Sequence, residues 1–253
     1  MGVLARGAMP LADGGVVEWL FTDRTGGVSS PPFDTANMAL HVGDDPEDVA
    51  RNRAVLAAEL SIDVDALATM TQVHGRDVAF VAGPHAIDPP PRADALVTDV
   101  ANVALVTQVA DCVPILLASP QGTIAAVHSG WRGVVAGVTT AAVEALIARG
   151  VEPESIRAWI GPSICPSCYE VGADVRDQVA AAAESAYATT AAGAPAVDVR
   201  AGVVKQLAHH GITAEVIDAC TAEDDALYSY RRDGRTGREA GVIIRRLAPG
   251  RQG

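Results

Sequence analysis

Apolar residues recur along the chain in short runs that are typical of buried β-strands. The first clear run is Val16–Thr22, which is followed by turn-forming residues at 23–27 and then by a loop rich in Ser and Pro. Further runs occupy the middle and the end of the chain, at residues 68–74, 78–81, 95–98, 103–110, 115–118, 123–127, 156–160, 212–217 and 241–247. The pattern therefore predicts a protein rich in β-sheet.

The clearest helix signal begins at Asp45. Asp45 is a typical N-cap and Pro46 suits the first helical position, so we expect a helix from there to about Leu60. Its apolar residues recur every three or four positions, and this spacing places Asn52 and Arg53 on the same inward face. Two interpretations stay open for this pair. They belong to a functional site, or Arg53 extends to the rim while Asn52 caps a neighbouring loop.

Other helical patterns alternate with the strands, at residues 133–150, 173–188 and 199–210. Gly150 is placed where a helix commonly ends. We find no fixed-period repeat and no long linker. Because helices and strands are interspersed and several strands are joined by short turns, we predict an α+β fold. It consists of mixed β-sheets flanked by α-helices, in a single domain spanning residues 1–253.

Composition and charge narrow the possible partners. The chain has 253 residues, of which 49% are hydrophobic and 4% aromatic, so a large core of small aliphatic side chains is expected. The formal net charge is −12 and no basic run occurs, which argues against a nucleic-acid partner. The sequence shows no apolar stretch long enough to cross a membrane and no signal-peptide pattern. We therefore expect a cytoplasmic protein without a membrane partner.

Four cysteines are too few for a fold held together by disulfides. Cys165 and Cys168 form a Cys-x-x-Cys pair that suggests a redox dithiol or a zinc knuckle. A knuckle needs a second pair of ligands, and Cys220 has no obvious partner in the sequence. We therefore expect neither function from this pair. His209 and His210 near a helix end and His85 in a loop are interpreted as structural or surface residues.

Three strand-like runs each end in, or directly precede, a side chain that can bind a metal: His74, Cys112 and His128. Two imidazoles and one thiolate form the kind of three-ligand shell that leaves a catalytic zinc with an open fourth position. Taken singly, each residue also has a structural interpretation as a buried histidine or an inert buried thiol. The trio is nevertheless the best candidate for a metal centre.

The sequence around these residues resembles a known family. The motifs that carry the resemblance are Thr71-Gln72-Val73-His74-Gly75, Ala110-Asp111-Cys112-Val113-Pro114, Val127-His128-Ser129-Gly130-Trp131-Arg132, Asn37-Met38-Ala39-Leu40-His41, Asn52-Arg53, Ile160-Gly161-Pro162-Ser163, Tyr169-Glu170-Val171-Gly172 and Tyr228-Ser229-Tyr230-Arg231-Arg232-Asp233-Gly234. The chain is similar to the laccase-domain, or multicopper polyphenol oxidase, family, now understood as purine nucleoside phosphorylases. The resemblance implies a zinc enzyme that cleaves adenosine, inosine, guanosine and methylthioadenosine with inorganic phosphate. It also implies an adenosine deaminase activity.

The resemblance and the chemistry of the side chains together suggest a role for each candidate. His74, Cys112 and His128 would hold the metal and form the catalytic centre, and a metal there could activate water for attack on adenine. Arg53 and Arg132 would bind phosphate, because a guanidinium matches phosphate oxygens in bidentate geometry. The polar residues Asn37, His41 and Gln72 would orient the nucleoside. Asp111 orders an imidazole, acts as a general acid or base, or is a turn residue that bonds its own backbone.

Two other functions remain as alternatives. Two histidines and a cysteine also describe a copper site, with Met70 as a conceivable axial ligand, although a multicopper oxidase needs more histidines than the six present. A non-catalytic zinc-binding module is the second alternative, and the missing fourth ligand argues against it. The sequence leaves the preferred nucleoside and the oligomeric state open.

Overall fold

Two large mixed β-sheets and six helices make up the described part of the chain. The computed structural model describes residues 1–83, 89–248 and 250. The strands are β1 (Val3–Pro10), β2 (Val16–Thr22), β3 (Leu67–Ala68), β4 (Val78–Phe80), β5 (Ala95–Thr98), β6 (Ala104–Val109), β7 (Val113–Ala118), β8 (Ile124–Ser129), β9 (Arg157–Ile160), β10 (Tyr187–Thr189), β11 (Pro195–Val197), β12 (Ala214–Val216) and β13 (Glu239–Arg246). The helices are α1 (Pro46–Glu59), α2 (Trp131–Ala136), α3 (Val138–Ile147), α4 (Ala173–Ala182), α5 (Val199–Ala208) and α6 (Tyr230–Asp233). The predicted α+β class is confirmed.

The five-stranded sheet has the order β1-β2-β13-β6-β3, and the six-stranded sheet has the order β12-β9-β7-β8-β5-β4. Most neighbours are antiparallel, but β3 with β6, β4 with β5, and β12 with β9 are parallel. Strands β10 and β11 form a separate small hairpin. The sheets are therefore mixed, as predicted from the short connections between strands.

Three apolar clusters fill the spaces between the layers. One lies between the two sheets and includes Phe21, Leu105, Leu116 and Ile243. A second packs helices α2 to α5 against the outer face of the six-stranded sheet, and a third packs α1 against the outer face of the five-stranded sheet. Helices thus flank a sandwich of two sheets. This burial of both sheet faces explains why the central strands are apolar at nearly every position.

Helix α1 begins as its sequence predicts. The side chain of Asp45 accepts a hydrogen bond from the backbone of Glu47, and Pro46 is the first helical residue. Asn52 is fully buried, accepts from the backbone of Val28 and donates to the carbonyl oxygens of Thr35 and Asn37. It therefore ties the preceding loop to the helix, which is the structural interpretation of this residue.

The predicted helix at residues 133–150 is wrong in detail, because it is divided at Gly137. This glycine has a φ of +79°, a left-handed conformation that ends α2 and precedes the first residue of α3. The predicted helix at residues 173–188 ends early, at Ala182. Its remaining residues form a 3-10 turn and β10, which pairs with β11.

The predicted strand at residues 68–74 is also shorter in the structure. Only Leu67 and Ala68 pair with β6, and the chain then turns, so that His74 has a φ of +59°. Strand β1 was absent from the predictions. It is a half-exposed edge strand that pairs only with β2, and its Arg and Gly residues hide the apolar signal.

Two further expectations concern single features. No helix among the described residues has the length and apolar character needed to cross a membrane. His85, predicted as a loop histidine, lies outside the described residues.

Candidate metal centre

The structure brings together the three predicted metal ligands. The ligand atoms of His74, Cys112 and His128 all lie within 4.8 Å of one another. His74 Nε2 is 3.9 Å from Cys112 Sγ, and the two imidazole rings meet edge to face with 4.8 Å between their centroids. Residues separated by up to 54 positions thus converge on one point, and they offer two nitrogens and one sulfur.

Each ligand is presented by a different local structure. His74 lies on the left-handed turn after β3, Cys112 lies in the tight connection between β6 and β7, and His128 is part of β8, opposite Pro114 of β7. The backbone of Gly130 passes close to the cluster. A Cβ atom there would lie 3.0 Å from Cys112 Sγ and 3.2 Å from His74 Cδ2, so a side chain at this position would press on two of the ligands.

Asp94 supports two of the three ligands, and the sequence analysis missed it. Its fully buried carboxylate lies 2.9 Å from His128 Nδ1 and accepts backbone hydrogen bonds from His74 at 2.9 Å and Gly75 at 2.6 Å. Engaging Nδ1 of His128 leaves Nε2 for the metal cluster. A carboxylate directly before the buried strand β5 was the available sequence signal.

Opposing effects set the protonation of the cluster. Burial by itself would raise the pKa of Cys112, but the adjacent His128 and His74 outweigh it and lower this pKa to about 6. Burial would lower the pKa of His128, but Cys112 and Asp94 outweigh it and raise this pKa to about 9. Both shifts favour the charged forms, an anionic sulfur at Cys112 beside a protonated imidazole at His128. A divalent cation fits here because it would take the place of that proton between one anionic and two neutral ligands.

The cluster lies on the wall of a cavity of about 500 Å³. Three aromatic side chains contribute to the wall, namely Trp131, Tyr169 and Tyr230. This volume lies within the range of small-molecule sites in proteins. The arrangement therefore combines a metal-capable cluster with space for a ligand.

Besides the three metal ligands, four of the predicted site residues line the cavity, and two do not. His41, Gln72, Asp111 and Arg132 are part of the wall. Burial, followed by the nearby charges of Arg238 and His128, lowers the pKa of His41. Gln72 is fixed by two hydrogen bonds to the backbone of Gln108, of 2.7 and 2.8 Å.

Arg53 and Asn37 lie behind this wall. Arg53 donates from Nε and Nη2 to the carbonyl oxygen of Met38, at 3.1 and 2.9 Å. Gln108, a wall residue, donates to the same oxygen at 2.7 Å. Asn37 is fully buried and accepts from the backbone of Arg238 at 2.9 Å. Both residues thus support residues of the wall, and direct contact of Arg53 with phosphate or of Asn37 with a nucleoside stays a prediction.

Asp111 forms hydrogen bonds with residues far away along the chain. Its φ is +91°, and its carboxylate accepts from Thr221 Oγ1, from Ser229 Oγ and from the backbone of Arg231, at 2.7, 2.7 and 2.6 Å. These partners lie more than 100 positions away along the chain, so Asp111 does not simply cap its own turn. It fastens the segment containing Arg231 to the turn that carries Cys112.

Three arginines face the cavity, and the sequence analysis singled out only one of them. Arg132 stacks on Trp131, Arg231 stacks on Tyr169, and Arg238 donates to nearby backbone oxygens. None of the three forms an ion pair with a carboxylate in the part of the chain that the structure describes. Their charges are therefore available to an anionic ligand.

Comparison with known proteins agrees with the geometry of the site. The family described as multi-copper polyphenol oxidoreductase laccase matches residues 18–246. The chain belongs to this family. The matched segment of this chain contains the whole His-Cys-His cluster and the cavity wall.

Similar proteins carry a more specific name. A purine nucleoside phosphorylase of Streptomyces griseus is 46% identical over 90% of this chain and 94% of its own length. Another, from Streptomyces coelicolor, is 47% identical over 88% of this chain and 93% of its own length. Among solved structures, YlmD from Geobacillus stearothermophilus has a TM-score of 0.87 and 35% identity, covering 97% of both chains. Neisseria meningitidis protein NMB0706 has a TM-score of 0.85 and 32% identity, covering 97% of this chain and all of that one.

Proposed function

We propose that this chain is a zinc-dependent purine nucleoside phosphorylase that also deaminates adenosine. Its substrates would be adenosine, inosine, guanosine and methylthioadenosine, together with inorganic phosphate. The observation that carries the proposal is the cavity in which a His-Cys-His cluster faces three arginines that lack carboxylate partners among the described residues. The name shared by the relatives supports it.

Phosphate would be bound by the arginines of the cavity. Phosphorolysis needs an anionic nucleophile held against the sugar, and guanidinium groups hold phosphate by paired, charge-assisted hydrogen bonds. Arg132, Arg231 and Arg238 line the cavity and are the best placed for this role. Arg53, the other arginine that the sequence suggested, bonds the Met38 carbonyl oxygen. Since the chain has a net charge of −12, this local positive potential would be the main attraction for an anion.

The aromatic residues of the wall would contact the purine. Trp131 and Tyr169 offer ring faces for stacking, although each already carries an arginine near its ring. Burial, together with the charge of Cys112, raises the pKa of Tyr169 to about 12, so its hydroxyl stays a hydrogen-bond donor at neutral pH. Gln72, held by Gln108, would give the nucleoside a polar contact of fixed orientation.

The metal centre would supply Lewis acidity. Zinc held by three ligands polarises water or a departing purine without any redox change. The chain's own residues provide the rest: Asp94 orients His128, and Asp111 holds the Arg231 segment at the cavity. Burial and the nearby charge of Arg238 lower the pKa of His41, which favours its neutral imidazole, and this form could accept a hydrogen bond from a bound ligand.

The alternatives have less support in the structure. Met70, considered as a copper ligand, is buried in the apolar cluster between the sheets. A purely structural zinc would need a fourth protein ligand, and the described His and Cys residues around this cluster supply three.

Product analysis tests the proposal. We expect adenosine to give adenine and ribose 1-phosphate only when phosphate is present, whereas conversion to inosine proceeds without phosphate. Chromatography of both reactions, with zinc-loaded and copper-loaded protein, measures this directly. Free ribose formed at the same rate in phosphate-free buffer would show a hydrolase, and nucleoside turnover with copper but not zinc would overturn the choice of metal.

A further inference from the structure

A second cluster of metal-capable side chains lies apart from the His-Cys-His cluster. It consists of Cys165, Cys168, Cys220 and Glu223, whose ligand atoms all lie within 4.8 Å of one another. The sequence argument against a zinc knuckle was that the Cys-x-x-Cys pair lacked a second pair of ligands. The fold supplies that pair, because it brings Cys220 and Glu223 to the same place.

The two halves of this cluster have matching local structures. Cys165 and Cys168 are three positions apart on a turn in which the backbone of Cys168 donates to the Cys165 carbonyl oxygen, at 3.1 Å. Cys220 and Glu223 have the same spacing, and the backbone of Glu223 donates to the Cys220 carbonyl oxygen, also at 3.1 Å. Each turn thus presents two ligands from one side, as in zinc knuckles.

The distances agree with four ligands around one ion. Glu223 Oε1 is 3.4 Å from Cys168 Sγ and 3.9 Å from Cys165 Sγ. Tetrahedral zinc with ordinary bond lengths separates a thiolate from a carboxylate oxygen by about 3.5 Å and two thiolates by about 3.8 Å. The backbone N–H of Cys165 also donates to Cys220 Sγ at 3.2 Å, which would stabilise this sulfur as a thiolate.

The neighbouring backbone holds the two turns in register. Ser163, two positions before Cys165, forms an isolated parallel β-bridge with the ligand Cys220. The four cysteines of the chain are free, so no disulfide competes for these sulfurs. The ligand geometry therefore depends on packing between two distant segments as well as on each turn.

We propose that Cys165, Cys168, Cys220 and Glu223 bind a second zinc ion, with a structural role. Three thiolates and one carboxylate would fill all four positions of a tetrahedral site, as protein ligands do in structural zinc sites, and thiolate-rich ligands select zinc over magnesium or calcium. Such an ion would join two segments that both contribute to the cavity wall. Tyr169 follows Cys168 directly, and Arg231, which stacks on it, belongs to the segment after Cys220. The second zinc would thus hold this wall together.

Metal analysis of variants tests the proposal. Protein purified under reducing conditions without added metal should contain two zinc ions per chain, and Cys112→Ala should contain one. The double variant Cys165→Ser/Cys168→Ser should also contain one, and the combination of all three changes should contain none. One zinc in the parent and none in Cys112→Ala would overturn the proposal. Circular dichroism of every variant separates loss of metal from loss of fold.

Cobalt substitution provides a readout that identifies the ligands. Thiolate-to-cobalt absorption in the near ultraviolet grows with the number of bound thiolates, of which this cluster would provide three and the other cluster one. Cys112→Ala should therefore keep about three quarters of the parent's intensity. An intensity that disappears in this variant would show that the three sulfurs do not bind the ion.

The carboxylate is tested separately with a matched control. Glu223→Ala should increase loss of the second zinc to a chelator by at least about tenfold, because a direct ligand is removed. Asp225→Ala removes an acid two positions away whose side chain is fully exposed, and it should leave zinc retention unchanged. Equal effects of both changes would remove Glu223 from the ligand set.

Discussion

The carboxylate of Asp94 lies 2.9 Å from Nδ1 of His128, and the same carboxylate accepts the backbone N–H of His74. One buried side chain thus orients two of the three residues that converge at the proposed catalytic zinc. The hydrogen bonds from His128, Gly75 and His74 lower the pKa of Asp94 against the opposing effect of its burial. Asp94 therefore stays anionic and can balance the charge of a bound cation.

Replacing Asp94 tests this positioning role. Asp94→Asn keeps the size of the side chain but removes its charge, so we expect a ten- to hundredfold loss of metal affinity at the His-Cys-His cluster. Competition with a chelator measures that affinity. Asp99 lies just past the other end of β5, and the control variant Asp99→Asn should leave this metal affinity unchanged. Unchanged affinity in Asp94→Asn would mean that the ligands are held in place without this carboxylate.

The arginines of the cavity are predicted to act on phosphorolysis more than on deamination. Replacing Arg132, Arg231 or Arg238 by Ala should remove a charged hydrogen bond of about 1.5 to 3 kcal/mol, or roughly a ten- to hundredfold loss in phosphorolysis. The dependence of the rate on phosphate concentration measures this effect. Equal losses of phosphorolysis and deamination would contradict a specific role in binding phosphate.

Arg53 offers a contrast to these three, because it bonds the Met38 carbonyl oxygen instead of facing the cavity. Arg53→Ala should lower thermal stability, since it leaves a backbone oxygen with one partner fewer. Its effect on the KM for phosphate should be smaller than that of the cavity arginines. If Arg53→Ala raised this KM most of all, the phosphate would lie on the Arg53 side of the wall.

Gly130 is predicted to tolerate no side chain. In Gly130→Ala the new Cβ would press on Cys112 Sγ and His74 Cδ2, and we expect loss of metal from this cluster with the fold retained. Metal content and circular dichroism measure the two effects. Gly83→Ala is the control, because its Cβ would meet no atom of the described residues within 4 Å. Full metal content in Gly130→Ala would show that the ligands can move apart without cost.

The buried carboxyl of Glu239 should make the stability of the protein depend on pH. Its side chain is buried on β13, and this burial raises its pKa well above the ordinary value of 4.5. The Glu239 carboxyl therefore stays protonated in the folded state at pH values at which the unfolded chain has released this proton. The contribution of Glu239 to the free energy of unfolding is complete below its pKa in the unfolded chain, and it is lost as the pH rises through its pKa in the folded state. Glu239→Gln should flatten the fall of the melting temperature as the pH rises above the ordinary carboxyl pKa of 4.5. The exposed Glu215→Gln should keep the parent's slope, and a parallel slope in Glu239→Gln would exclude this carboxyl as the cause.

The sequence by itself determined the parts of the protein that depend on neighbouring residues. Asp45 and Pro46 predicted the start of α1, and the apolar run at Val16–Thr22 predicted β2 with its observed bounds. Local motifs also carried the family resemblance and singled out the three candidate metal ligands, which do lie together. Such signals are readable because capping, turns and periodic burial act within a few positions of the chain.

Only the tertiary structure decided which distant residues meet. It joined Asp94 to His128, Asp111 to Ser229, and Glu223 to Cys168. It also decided that Arg53, which helical spacing correctly placed on the inward face of α1, lies behind the cavity wall. These relationships depend on the register of the strands and on the packing of the loops between the layers, and residues far apart in sequence carry no local signal of such pairing. For that reason the ligand types could be read from the sequence, whereas the partners that orient and complete each site could not.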